Sequence, residues 1–180
     1  MNEDPSLLDR STIQLLLAAV AEEAVRRELE LSIFLVGGAA MALAYSSSRV
    51  TRDLDGVFEP KAVVYEVAAQ IARDHPEFGL ADDWLNDAAK SFMPGTDPDS
   101  TVAFERPGLS VRVASPRYLF AMKAMAGREV DVDDLRLLYR LVGYTSAEEA
   151  IADVASVYPI ATLRPALAYL IQELAAEAAS

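Results

Sequence analysis

A six-residue apolar run, Leu31 to Val36, stops at two adjacent glycines, Gly37 and Gly38, and a small-residue stretch then leads to Arg49-Val50-Thr51-Arg52-Asp53-Leu54-Asp55. The run is too short for a helix and suits a buried strand. Glycines at its end permit a tight strand-to-helix turn and a close backbone approach to a ligand. Ala39 to Tyr45 reads as a helix that packs closely because its residues are small. Val50 to Phe58, with Leu54, Val57 and Phe58 beside Thr51, reads as a second strand ended at Pro60. Side chains alternate along a strand, so carboxylates at i and i+2, Asp53 and Asp55, share one face. Two like charges are expensive to bury there unless a cation neutralises them.

Around this pair the pattern alternates between helix and strand. Ile13, Leu16, Leu17, Val20, Ala24 and Val25 recur at helical spacing over residues 12–29, with Ser11 as the expected N-cap. Lys61 to Arg73 is helical through Val64, Val67, Ala68 and Ile71. Residues 74–100 are irregular, broken by Pro76, Gly79, Pro94, Gly95 and Pro98, and carry the single tryptophan, Trp84. Thr101 to Glu105 and Leu109 to Val113 read as a hairpin. Ser115-Pro116 opens a helix through Met125, and Asp131 or Asp133 caps another that runs to about Val142 before Gly143. Two further helices are expected over residues 146–157 and 162–178. This order predicts the α+β class: a small mixed β-sheet flanked by helices over residues 1–114, then a C-terminal helical bundle over 115–180, packed as one unit.

Composition narrows the chemistry. With 180 residues, 52% of them hydrophobic and 24% charged, the chain can bury a real core. It has no cysteine and one histidine, His75, which removes disulfides, thiolate sites and His-rich zinc sites. The start Met1-Asn2-Glu3-Asp4-Pro5 lacks a basic segment followed by an apolar one, so no secretory signal is expected; the apolar runs are short for a membrane span, and the expected location is cytoplasmic. A net charge of −12 opposes general nucleic-acid binding. Yet Arg106, Arg112, Arg117, Lys123 and Arg128 fall in a 23-residue stretch without an acid, which either helps bind an anion or lies over a solvated face.

Magnesium suits a carboxylate pair such as Asp53 and Asp55, since it takes one or two carboxylates and fills its other positions with water and substrate phosphate oxygens. Gly37-Gly38 adds a backbone turn and free helix amides for a phosphate. Neither the dinucleotide fingerprint nor the Walker lysine motif is present. The combination Val36-Gly37-Gly38, fourteen residues, then Asp53-Leu54-Asp55 resembles the nucleotidyltransferase fold of the polymerase β superfamily. Lys123 to Arg128, Asp131, Asp134 and Trp84-Leu85-Asn86 look like its AbiEii-like, MenT-type toxin branch, and the resemblance covers roughly residues 31–142.

That resemblance implies a transferase that moves a nucleoside monophosphate from a nucleoside triphosphate to an acceptor, the tRNA 3′ end or another RNA first, with a cognate antitoxin as partner. It implies that Asp53 and Asp55 hold Mg2+, with Mn2+ as an alternative, and that Gly37, Gly38, Arg49, Thr51, Lys123 and Arg128 surround the nucleotide. It assigns Lys123 and Asp134 to catalysis beside the two aspartates. Many superfamily members carry a third carboxylate on a later strand, where this chain has Arg112; Asp131 or Asp134 is the implied replacement. Two alternatives stand beside this reading: a protein of the same fold that binds nucleotide or a partner without turnover, and a transferase acting on a small molecule or a protein side chain.

Overall fold

The structure, a computed structural model, describes residues 7–46, 48–158 and 164–179. The acidic start and the expected helix start at Thr162 lie outside the described residues. The chain divides into two compact units, one of residues up to Ser91 with Ser100–Ala114, the other of Phe92–Asp99 with the chain from Ser115 onward. Among the described residues no helix is long and apolar enough to cross a membrane.

The first unit holds α1 (Arg10–Arg26), β1 (Leu31–Leu35), α2 (Gly37–Ala40), β2 (Leu54–Glu59), α3 (Lys61–Asp74), β3 (Leu85–Asn86), β4 (Thr101–Arg106) and β5 (Leu109–Val113). The strands form one mixed sheet in the order β3-β2-β1-β5-β4. β1 lies antiparallel to β2 and parallel to β5, while β4 and β5 form the predicted hairpin around Pro107-Gly108. Period-two alternation divides the sheet into two faces. Leu31, Ile33, Leu35, Leu54, Phe58, Leu109, Val111 and Val113 are buried, and α1 and α3 pack against the sheet and each other. Truncating any of the larger of these to alanine costs about 2–5 kcal/mol. The opposite face is more open, with Ser32, Glu59 and Arg112 exposed and Phe34, Asp55 and Val57 half-buried.

Local chemistry moves several boundaries. Asp9, not Ser11, caps α1: its carboxylate accepts from the Thr12 backbone N–H at 2.8 Å, and the Ser11 hydroxyl donates to it at 2.8 Å. An ionised cap outcompetes a neutral one for the first-turn amides. Val25, expected in the buried stripe of α1, is 52% exposed, because one residue beyond Ala24 turns about 100° round the helix. The predicted small-residue helix begins earlier, with both glycines inside α2, and opens into a π turn over Met41–Tyr45. β2 starts at Leu54 rather than Val50. Thr51 instead makes an isolated antiparallel bridge with buried Leu8, with backbone bonds of 2.7 and 3.0 Å.

The second unit contains α4 (Pro116–Ala126), α5 (Val132–Val142), α6 (Ala147–Val157) and α7 (Pro165–Ala178). Ser115 caps α4 with Pro116 in its first turn, and Gly127 and Gly143, both with positive φ, end α4 and α5. Asp97 accepts from the backbone N–H and hydroxyl of Ser115 at 2.7 and 3.0 Å, which ties residues 92–99 to these helices. A cluster of Phe120, Tyr139 and Tyr144 forms the aromatic part of its core. The architecture is therefore α+β, with a five-stranded mixed sheet and seven α-helices among the described residues.

Candidate active site

Gly37 opens α2 where β1 ends. Its φ of +61° is a conformation that glycine adopts without strain. A Cβ at this position would lie 3.8 Å from Oδ2 of Asp55, so the space above the glycine backbone faces that carboxylate. Gly38 is constrained from another side: a Cβ there would come within 2.7 Å of the Thr51 hydroxyl oxygen. Thr51 in turn donates to the backbone carbonyl of Asp53 at 3.1 Å. The two glycines, Thr51 and the aspartate segment are thus fitted to one another, and the bridge to Leu8 anchors the loop that carries Thr51.

Asp55 lies within β2, and its carbonyl accepts from the Val36 N–H at 2.9 Å. Asp53 sits in the bend one residue before the strand, and both aspartates are half-buried on either side of buried Leu54. Burial pushes the Asp53 carboxyl above its ordinary value and the charge of Asp83 pushes the same way, while hydrogen bonds from Asn86 and Thr51 oppose both. A carboxylate in these surroundings is stabilised by a cation. Asp55, whose carboxylate faces this glycine-floored space, and Asp53 two residues before it offer carboxylate oxygens of the kind a hard divalent ion takes while keeping water and phosphate oxygens in its remaining positions. Among the described residues no group of three or more His, Asp or Glu side chains forms a metal cluster, so the pair has no third carboxylate grouped with it there.

Asn86 is the neighbour that the strand pattern does not reveal. It occupies β3, pairs in register with Asp55, and its amide lies 3.5 Å from Asp53. A two-residue strand carries no periodicity; the only signal was Trp84-Leu85-Asn86 itself. Farther along the open face, a groove of about 570 Å³ is lined by Phe34, Val57, Pro60, Lys61, Asp87 and Lys90, among others. Lys61 and Tyr65 both bond Asp87, at 2.5 and 2.7 Å. Arg49 lies half-buried in the loop after the π turn, its N–H on the Ser46 carbonyl at 3.2 Å.

Lys123, Arg128, Asp131 and Asp134 belong to the second unit, where ion pairs gather them. Lys123 is 3% exposed and its ammonium lies 2.6 Å from Asp131 and 2.8 Å from Asp134. Arg128 reaches Asp131 at 2.6 Å and is itself largely exposed. Burial works to raise the Asp131 carboxyl, but the hydrogen bonds and charges of Lys123 and Arg128 outweigh it and hold the group below its ordinary value. Arg128 and Arg164 border an apolar pocket of about 220 Å³ that includes Ala124, Val132, Leu167 and Leu170. In the basic stretch, Arg117 pairs with Asp153, Arg112 donates to Ser100, and Arg106 stacks on Phe104 at 5.4 Å. Each of these residues is engaged within its own unit.

No family model matches the chain, and no curated protein matches it. Among solved structures, it is similar to the crystal structure of an antigenic nucleotidyltransferase-like protein from Paracoccidioides brasiliensis. That similarity is at 16% identity, covers 92% of this chain and 94% of the other, and has a TM-score of 0.46.

Proposed function

We propose that the chain is a divalent-metal-dependent nucleotidyltransferase that transfers a nucleoside monophosphate from a nucleoside triphosphate to an acceptor and releases pyrophosphate. The observation that carries this reading is the Gly37 backbone facing the Asp55 carboxylate, with half-buried Asp53 in the bend that leads into the same strand. Asp53 and Asp55 would hold Mg2+ or Mn2+. When bound, the ion supplies charge neutralisation and polarisation at phosphoryl oxygens. Nucleotidyl transfer needs little covalent help from a protein, because positioning and charge stabilisation supply most of the rate.

The chain's own contribution is spatial. Gly37 and Gly38 bring backbone amides close to the phosphates without a side chain in the way, and Thr51 fixes the distance between that turn and the aspartates. The groove lined by Phe34 and Val57 offers an apolar floor for a ring with Lys90 at its edge, while Lys61 is paired with Asp87 in the same lining. An RNA acceptor, with the tRNA 3′ end first, and a role as the toxin of a toxin–antitoxin pair restrained by a cognate antitoxin come into this reading from the sequence resemblance. Lys123, Arg128 and Asp134 enter this reading through the sequence resemblance.

Purified protein incubated with Mg2+, the four nucleoside triphosphates and total tRNA should release pyrophosphate, and Asp53→Ala should abolish it. Folded protein that releases no pyrophosphate from the nucleoside triphosphates in the presence of RNA or any other acceptor overturns the proposal. The charge of −12 and the Asp83 carboxylate near Asp53 favour a second reading, a cationic small-molecule or protein acceptor. Salt separates the two, since RNA binding weakens steeply as salt rises.

A further inference from the structure

We infer that Asn86 is a positioning residue of the carboxylate site, presented by β3 so that its side-chain amide holds Asp53 in its metal-binding orientation. The inference rests on the metal-site reading above and adds a residue to which that reading gave no role.

The Asn86 amide is fixed by bonds on both of its ends. Its oxygen accepts from the Ala88 N–H at 2.9 Å, which fixes which end of the amide carries the donors. One donor hydrogen goes to the Asp83 carbonyl at 3.1 Å. The same nitrogen lies 3.5 Å from Asp53 Oδ2, the outer limit of hydrogen-bonding distance, which leaves its second hydrogen for that carboxylate. A donor that cannot turn away gives its acceptor one preferred orientation at little entropic cost.

The support behind Asn86 is equally definite. Trp84 is fully buried, and its indole N–H donates to the Ala68 carbonyl of α3 at 3.0 Å. The Trp84 carbonyl accepts from the Leu54 N–H at 2.6 Å, next to Asp53 and Asp55 in sequence. Leu85 is buried, and the parallel register sets Leu85 opposite Leu54 and Asn86 opposite Asp55. Trp84 therefore pins the short strand to a helix behind the sheet and to β2 at the site, leaving Asn86 beside the aspartates. Residues that orient a ligating carboxylate typically affect metal affinity by about 10–100-fold.

The test is direct Mn2+ binding to the full chain without nucleotide, read from the electron paramagnetic resonance signal of free Mn2+, for wild type, Asp53→Ala, Asn86→Ala and Asn86→Ser. Serine can accept the Ala88 N–H and keep the turn, while its shorter side chain does not reach Asp53. The expected result is a loss of affinity of about tenfold or more in both Asn86 variants, with the Asn86→Ser melting temperature near that of wild type. Wild-type binding that Asp53→Ala abolishes but Asn86→Ser leaves unchanged overturns the role of Asn86 and leaves the metal site standing. No Mn2+ binding by folded wild type overturns the metal site and the Asn86 role together.

Discussion

Replacing Gly38 by alanine tests the fitted contact on which the site geometry depends. The new Cβ would sit 2.7 Å from the Thr51 hydroxyl oxygen and 3.2 Å from its Cβ, whereas ordinary contact begins at 3.4 Å, an overlap of about 0.7 Å at the oxygen. Overpacking of this kind costs about 1–3 kcal/mol. If Thr51 rotates away, its hydrogen bond to the Asp53 carbonyl is lost, for about 1 kcal/mol more. At roughly 2–4 °C per kcal/mol for a chain of this size, Gly38→Ala should lower the melting temperature by about 4–16 °C. Thr51→Ala alone removes only the hydroxyl bond and should cost about 1 kcal/mol. Adding Thr51→Ala to Gly38→Ala removes the atom in closest conflict, so the double variant should recover about 1 kcal/mol or more relative to simple addition. Thermal and urea denaturation of the four proteins measures this cycle. Unchanged stability in Gly38→Ala, or strict additivity, would refute the contact.

Gly56→Ala should be more damaging still, because its Cβ would come within 2.3 Å of the Phe34 backbone carbonyl in the neighbouring strand, where nothing flexible can yield; loss of soluble folded protein or a drop of more than ~3 kcal/mol is expected. Lys123→Met leaves two buried aspartates without their ammonium and should cost about 3–5 kcal/mol in urea denaturation. Asp131 gives this network a pH signature. Its carboxyl is held below the ordinary value of 3.8, so its contribution is complete above that pH and is lost as the pH falls through the folded-state value. Asp131→Asn should therefore remove part of the wild-type loss of stability on acidification, measured by urea midpoints between pH 7 and 3.

What the sequence made legible follows from local physics. The apolar run before Gly37-Gly38 reads as β1 because it is short and closed by glycine, and the hairpin reads from Pro107-Gly108 between two β-type runs. Alternation places Asp55 on the open face opposite buried Leu54, but Asp53 sits in the bend before the strand, where alternation does not apply. Features that depend on distant partners stayed hidden. β3 exists because Trp84 reaches the Ala68 carbonyl, and two residues show no period. Thr51 ends up away from β2 because Leu8 pairs with it across more than forty residues. Lys123 looks the same in sequence whether it faces solvent or is buried; its burial depends on Asp131 and Asp134 arriving from beyond a turn. Asp9 displaced Ser11 as the cap because an ionised acceptor two residues earlier is stronger, a choice that composition at one position does not reveal.

Asp53 and Asp55 are proposed to serve transfer of the α-phosphoryl group with its nucleoside. The most direct measurement incubates wild type, Asp53→Ala and Asp55→Ala with Mg2+, total tRNA and nucleoside triphosphates labelled at either the α- or the γ-phosphate. Label from the α-position should enter the acceptor, label from the γ-position should appear only in pyrophosphate, and both aspartate variants should transfer neither. Transfer of the γ-label, or α-label transfer that survives loss of either aspartate in folded protein, would contradict the account.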